Sequence, residues 1–129
     1  MKGYKVFTVN KKKEITSCIV TGKAKINYKE GKKNKAPKWL REMGRHPTFF
    51  KNILHAIIFM ETTPLPRRKR SIWEVRAQKV LTRLPHMFDI YDLGKGHISP
   101  NPNLWPRGTK MAEIIIPVRQ LDKKELSEI

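Results

Sequence analysis

The stretch Thr48-Phe49-Phe50-Lys51-Asn52-Ile53-Leu54-His55-Ala56-Ile57-Ile58-Phe59-Met60 decides how the rest of the chain is read. Phe50, Ile53, Leu54, Ile57 and Ile58 recur at three- and four-residue spacing, the period of one helical face. Thr48 stands where an N-cap belongs, Pro47 precedes it, and Pro64 lies beyond the end. Phe49, Ala56 and Phe59 widen the apolar stripe, so the spacing predicts one principal helix over residues 48–60, buried on one side against a sheet. His55 falls at the polar edge of that stripe and reads as an ordinary, partly exposed histidine.

Upstream, Tyr4-Lys-Val-Phe-Thr-Val is rich in β formers and stops at Asn10 and three lysines, as a strand entering a hairpin turn should. Residues 15–21 read as a second strand ending at Gly22, and residues 24–28 as a shorter third, which together predict a small antiparallel meander. Downstream, Ser71-Ile-Trp-Glu-Val-Arg-Ala-Gln-Lys-Val places Trp73, Val75 and Ala77 on one face and Glu74, Arg76 and Gln78 on the other, the period of a half-buried strand. Residues 85–106 carry four of the nine prolines and no sustained period, and read as a long irregular loop. Strand character returns over residues 110–119, with Pro117 indicating an edge or an interruption. A short helix is expected in the acidic tail from Asp122.

These elements predict an α+β fold in a single domain spanning residues 1–129: a small, mainly antiparallel sheet packed on one principal helix, with a long Pro-rich loop before the last strand. The expected core is Trp73, Val75, Phe50, Ile53, Leu54 and Ile57. The single cysteine, Cys18, has no intramolecular partner and apolar neighbours, and reads as a small buried hydrophobe. With no secretory h-region after Met1 and no apolar run approaching about 20 residues, the expectation is a cytoplasmic protein with no membrane partner.

Charge carries most of the functional information. The chain has 28 Lys and Arg against 11 Asp and Glu, a net charge of +17. Residues 1–85 hold 22 of the basic residues and 5 of the acids, so the whole excess lies there. Three dense blocks account for much of it: Lys11, Lys12 and Lys13; the series Lys23, Lys25, Lys29, Lys32, Lys33, Lys35 and Lys38; and Arg67-Arg68-Lys69-Arg70. The second and third sit in stretches punctuated by glycine and proline, which read as basic loops able to follow a phosphate backbone. Like charge at this density opposes a compact fold, so a polyanionic partner is the economical explanation. Trp39 and Arg41 follow the second block, an aromatic beside cations that suits a stacked base. The contact set read from sequence is therefore the second block with Trp39 and Arg41, and the third block. It points to a small basic nucleic-acid-binding accessory protein engaging DNA or RNA, alone or in a ribonucleoprotein.

No catalytic signature competes with this reading. The histidines His46, His55, His86 and His97 and the lone cysteine form no short metal-ligand spacing. Asp89 and Asp92 lack a third acid, and Gly94-Lys-Gly lacks the order of a phosphate-binding loop. Ser17 and Ser71 are in no nucleophile-elbow context, and neither cofactor nor metal is expected.

Tyr4-Lys-Val-Phe, then Phe50 with Ala56 and Phe59, then Ile72-Trp-Glu-Val, then Trp105-Pro-Arg-Gly-Thr-Lys-Met-Ala follow one another in an order that resembles a small, poorly characterised family of prokaryotic and phage proteins. That resemblance implies a phage or mobile-element origin and carries no activity with it; the lysines between Lys23 and Lys38 depart from the family pattern. Phe50, Ala56 and Phe59 also resemble the middle of compact ADP-ribosyltransferase-like domains, which would imply NAD binding and Glu74 or Glu113 as the catalytic glutamate. Against that pattern, the first strand has no matching Arg or His and no Ser-Thr-Ser motif is present.

Overall fold

The computed structural model describes residues 1–17, 25–62, 69–82, 84 and 105–128. The expected strands at 15–21 and 24–28 and the long loop at 85–106 fall partly outside them, and Cys18 wholly so. Among these residues, six strands, β1 (Lys2–Val9), β2 (Ile15–Thr16), β3 (Asn27–Tyr28), β4 (Thr48–Phe50), β5 (Lys69–Val80) and β6 (Thr109–Gln120), are accompanied by three short helices, α1 (Lys38–Glu42), α2 (Ile53–Thr62) and α3 (Lys123–Ser127).

All pairings are antiparallel. β1 runs along β5 over its full length, β5 along β6, and β6 along β4, and β4 returns to β1 through Tyr4 opposite Phe50. The result is a closed four-stranded barrel, with β2 and β3 added beyond the outer end of β1. The expected α+β architecture, a sheet on one principal helix, is thereby corrected to a mostly β barrel with only small helices.

The correction begins at Phe49 and Phe50. Neighbouring residues of a strand face opposite sides, and here Phe49 joins the cluster of Phe7, Ile15, Tyr28, Trp73, Val75, Ala77, Ala112 and Ile115 inside the barrel. Phe50 joins Val6, Ala56, Phe59, Ile72 and Leu121 outside it, with its ring 5.4 Å from that of Phe59. Thr48 is thus a strand residue. The helix cap is Asn52, whose Oδ1 accepts from Leu54 N at 2.8 Å. Leu54, expected in the core, is 49% exposed, as is Ile58 at 53%, because α2 packs through Ala56 and Phe59.

Closure also needs Gly3. A Cβ there would lie 2.8 Å from Phe49 Cε2 and 2.9 Å from the Phe50 carbonyl oxygen, so only glycine lets β4 cross β1 this closely. On the far side of the barrel, Glu74 faces Arg119 while Val75 faces Pro117, leaving Val118 as an extra residue in β6. This bulge falls beside the residue that cannot donate a ladder hydrogen bond. Pro117 is fully buried, and its carbonyl accepts from Gly31 N at 2.9 Å, so it marks an interruption and not a free edge.

Among the described residues, one lysine is buried in the barrel interior. Lys5 is 8% exposed; its ammonium donates to the Thr48 carbonyl and stands 5.5 Å from the Tyr28 ring centroid and 5.9 Å from that of Phe7. Cation–π attraction and a carbonyl acceptor replace part of the hydration it gives up. Burial pushes the Tyr28 phenol well above its ordinary range, and a hydrogen bond with Ser17 opposes that shift.

Candidate functional site

The strand registers place the basic blocks. Across β5, β1, β2 and β3, Lys69, Val9, Ile15 and Tyr28 form one continuous row, and Arg70, Thr8, Thr16 and Asn27 the next. Strands alternate in direction, so the start of β5 at Lys69, the turn after Val9 and the residues after Tyr28 all lie at the same end of the sheet. At about 4.8 Å per strand, Lys69 and Tyr28 are roughly 14 Å apart. Lys11, Lys12, Lys13, Lys29, Lys32, Lys33 and Lys69, all exposed, therefore line one rim, accompanied by the acids Glu14 and Glu30.

The β1–β2 turn is rigidly built. Asn10 N donates to Glu14 O and Lys13 N to Asn10 O, each at 3.0 Å. The Asn10 side chain accepts from Lys12 N and Glu14 N, each at 2.9 Å. Lys13 closes the turn with φ of 63°, the left-handed conformation that glycine or asparagine ordinarily supplies. Lys11, Lys12 and Lys13 stand outside the contact set read from sequence. Their hairpin position was legible from the three lysines after Asn10, whereas their neighbours across the sheet depend on register.

The turn carrying Lys32 and Lys33 is fixed by Asn34. Its Oδ1 accepts from Lys29 N at 3.0 Å, and its Nδ2 donates to the carbonyls of Lys29, Lys32 and Ile115. Its backbone exchanges two 3.0 Å hydrogen bonds with Ile115 of β6. A buried polar side chain thus anchors an exposed basic loop to the barrel wall.

Other members of the predicted set lie elsewhere. Lys38, Trp39 and Arg41 are on α1, with Lys35 exposed just before it and Lys38 3.9 Å from Glu42. Lys25 is half-buried beyond the opposite end of β3. Arg70 is half-buried and donates to the Met60 carbonyl at 2.8 Å, satisfying an end of α2. Lys23, Arg67 and Arg68 lie outside the described residues, as do His86, His97, Asp89, Asp92 and Gly94.

The residues of the transferase resemblance are engaged in packing and ion pairs. Phe50, Ala56 and Phe59 share one packed cluster. Glu74 pairs with Lys2 at 3.5 Å and with Arg119 at 3.6 Å, and Arg119 continues to Glu125 at 2.8 Å. Glu113 lies near His46, whose Nδ1 is buried with no hydrogen-bond partner among the described residues. Burial lowers the His46 pKa, the Glu113 charge opposes that shift, and Arg41 adds to it. Ser71 accepts from Trp73 Nε1 at 3.0 Å, and Ser17 bonds to Ile26, so both serines act within the sheet. Among the described residues no cluster of three or more His, Cys, Asp or Glu could hold a metal ion, and no helix is long and apolar enough to cross a membrane.

The chain matches no protein-family model, no curated protein and no solved structure.

Proposed function

We propose that the chain is a small nucleic-acid-binding protein that engages the phosphate backbone of DNA or RNA through the basic rim at the end of β5, β1, β2 and β3. The observation that supports this most is the convergence of three sequence-distant lysine blocks on one rim, with seven exposed lysines and two acids. Neighbouring lysines in this group lie within about one Debye length, roughly 8 Å at physiological salt, so they repel one another in the free protein. A polyphosphate relieves that repulsion and releases its own counterions. Lysines on turns position a backbone without reading base edges, so binding is expected to be independent of sequence.

A gel shift at low salt with duplex DNA and with RNA tests the reading. Shifted complexes of similar affinity on unrelated sequences are expected. No complex with either nucleic acid at low salt would remove the proposal.

A further inference from the structure

We infer that the preferred partner is single-stranded, with one unpaired base stacked on Trp39; this rests on the phosphate-binding reading above. Trp39 is 37% exposed, whereas Phe7, Tyr28, Phe49, Phe50, Phe59 and Trp73 are buried. Its helix, α1, turns Leu40 inward against Ala36 and Ile26 and leaves Trp39 outside. Met43, one helical turn on and 48% exposed, extends the apolar surface beside it.

The platform is fixed in place. Leu40 N and Arg41 N both donate to Pro37 O at 3.0 Å. Gly44 N donates to Arg41 O and Arg45 N to Leu40 O, with Gly44 at φ of 75°. These two bonds form a Schellman cap, which holds so short a helix closed. On the short segment that carries Trp39, Lys35, Lys38 and Arg41 are exposed, and the one acid on the helix, Glu42, is 3.9 Å from Lys38.

Charge complementarity selects the occupant. An apolar protein surface docking on Trp39 would meet a short segment with three exposed cations and one acid, whereas a nucleotide brings a phosphate to those cations and a π face to the indole. In a duplex both faces of each base are already covered, so only an unpaired base can take the site. From Lys33 to Trp39 is six residues, a reach of at most about 20 Å. One strand of a few nucleotides can therefore touch both the rim and the indole, within the span of about 4–16 nucleotides used by other single-strand binders.

The test uses the full chain with dT12, rU12 and a 12-base-pair duplex, following tryptophan emission and fluorescence anisotropy at fixed salt. Tighter binding of the single strands with quenched emission is expected. Trp39→Ala should weaken single-strand binding about 5- to 100-fold and abolish most of the quenching, while duplex affinity stays at the wild-type value; Trp39→Phe should recover part of the loss. An effect confined to dT12 or to rU12 supports the inference and identifies the strand. If Trp39→Ala, melting normally, binds both single strands as tightly as wild type, stacking is overturned while phosphate binding stands. If Trp39→Ala instead abolishes a self-association of the free protein and leaves strand binding intact, a second copy is the occupant and the inference fails. No binding of any of the three probes overturns the phosphate reading and this inference together.

Discussion

Lys13 shows how a single residue can carry both a cost and a purpose. A side chain in the left-handed region is disfavoured by about 1 kcal/mol or more relative to glycine, and Lys13 adopts it to close the turn. Lys13→Gly should therefore raise the unfolding free energy by about 1 kcal/mol in a denaturant titration while weakening nucleic-acid binding. A variant that gains no stability would show that the turn does not strain Lys13. His46 gives a pH dependence of definite sign. Its pKa is lowered in the fold by burial, against the nearby Glu113 and together with Arg41. The unfolded chain therefore takes up a proton near the ordinary value of 6.5 that the folded chain still refuses. This contribution is fully present above that pH and is lost as the pH falls from there toward the lower folded value. Replacing His46 with Gln should reduce the difference in denaturation midpoint between pH 7.5 and pH 5; an unchanged difference would remove His46 as its source.

At the level of elements, strands with clean alternation were legible and the three-residue β4 was not. Trp73, Val75 and Ala77 share the buried face of β5 as their spacing implies. Residues 48–60 mislead because a three-residue strand and a helix are both apolar and separated by only two residues, Lys51 and Asn52. Phe49 and Phe50 fit the end of a helical stripe, yet they face opposite sides of the barrel wall. Two substitutions separate the readings. Asn52→Ala should cost about 1 kcal/mol by removing the cap of α2, whereas Thr48→Ala should cost no cap energy. Urea titrations of the two variants measure this, and the reverse order would return the helix start to Thr48.

For the molecule as a whole, what the sequence leaves out is long-range pairing. The barrel closes through a single register, Tyr4 opposite Phe50, made possible by Gly3, and it bends at the Val118 bulge. Neither depends on a local period, so neither is visible along the chain. The same holds for the candidate site. Its charge was legible as blocks, but that Lys11, Lys12 and Lys13 lie between Lys69 and Lys29 follows only from the rows joining β5, β1, β2 and β3. Arg70 shows the converse, a residue of a basic block that the fold assigns to holding α2.

If the rim is where a duplex binds, the salt dependence of duplex affinity should be set by that end of the barrel. With about six phosphates neutralised on duplex DNA, the slope of log K against log salt should be near −5 for the wild type. Replacing Lys11, Lys12 and Lys13 together with Gln should bring it to about −2, at roughly one per lost contact. Lys51 is exposed and follows Phe50, which stands opposite Tyr4, about 17 Å along β1 from Val9, so Lys51→Gln should leave the slope unchanged. Equal slopes for the wild type and the triple variant, with both proteins folded, would contradict the rim as the binding surface.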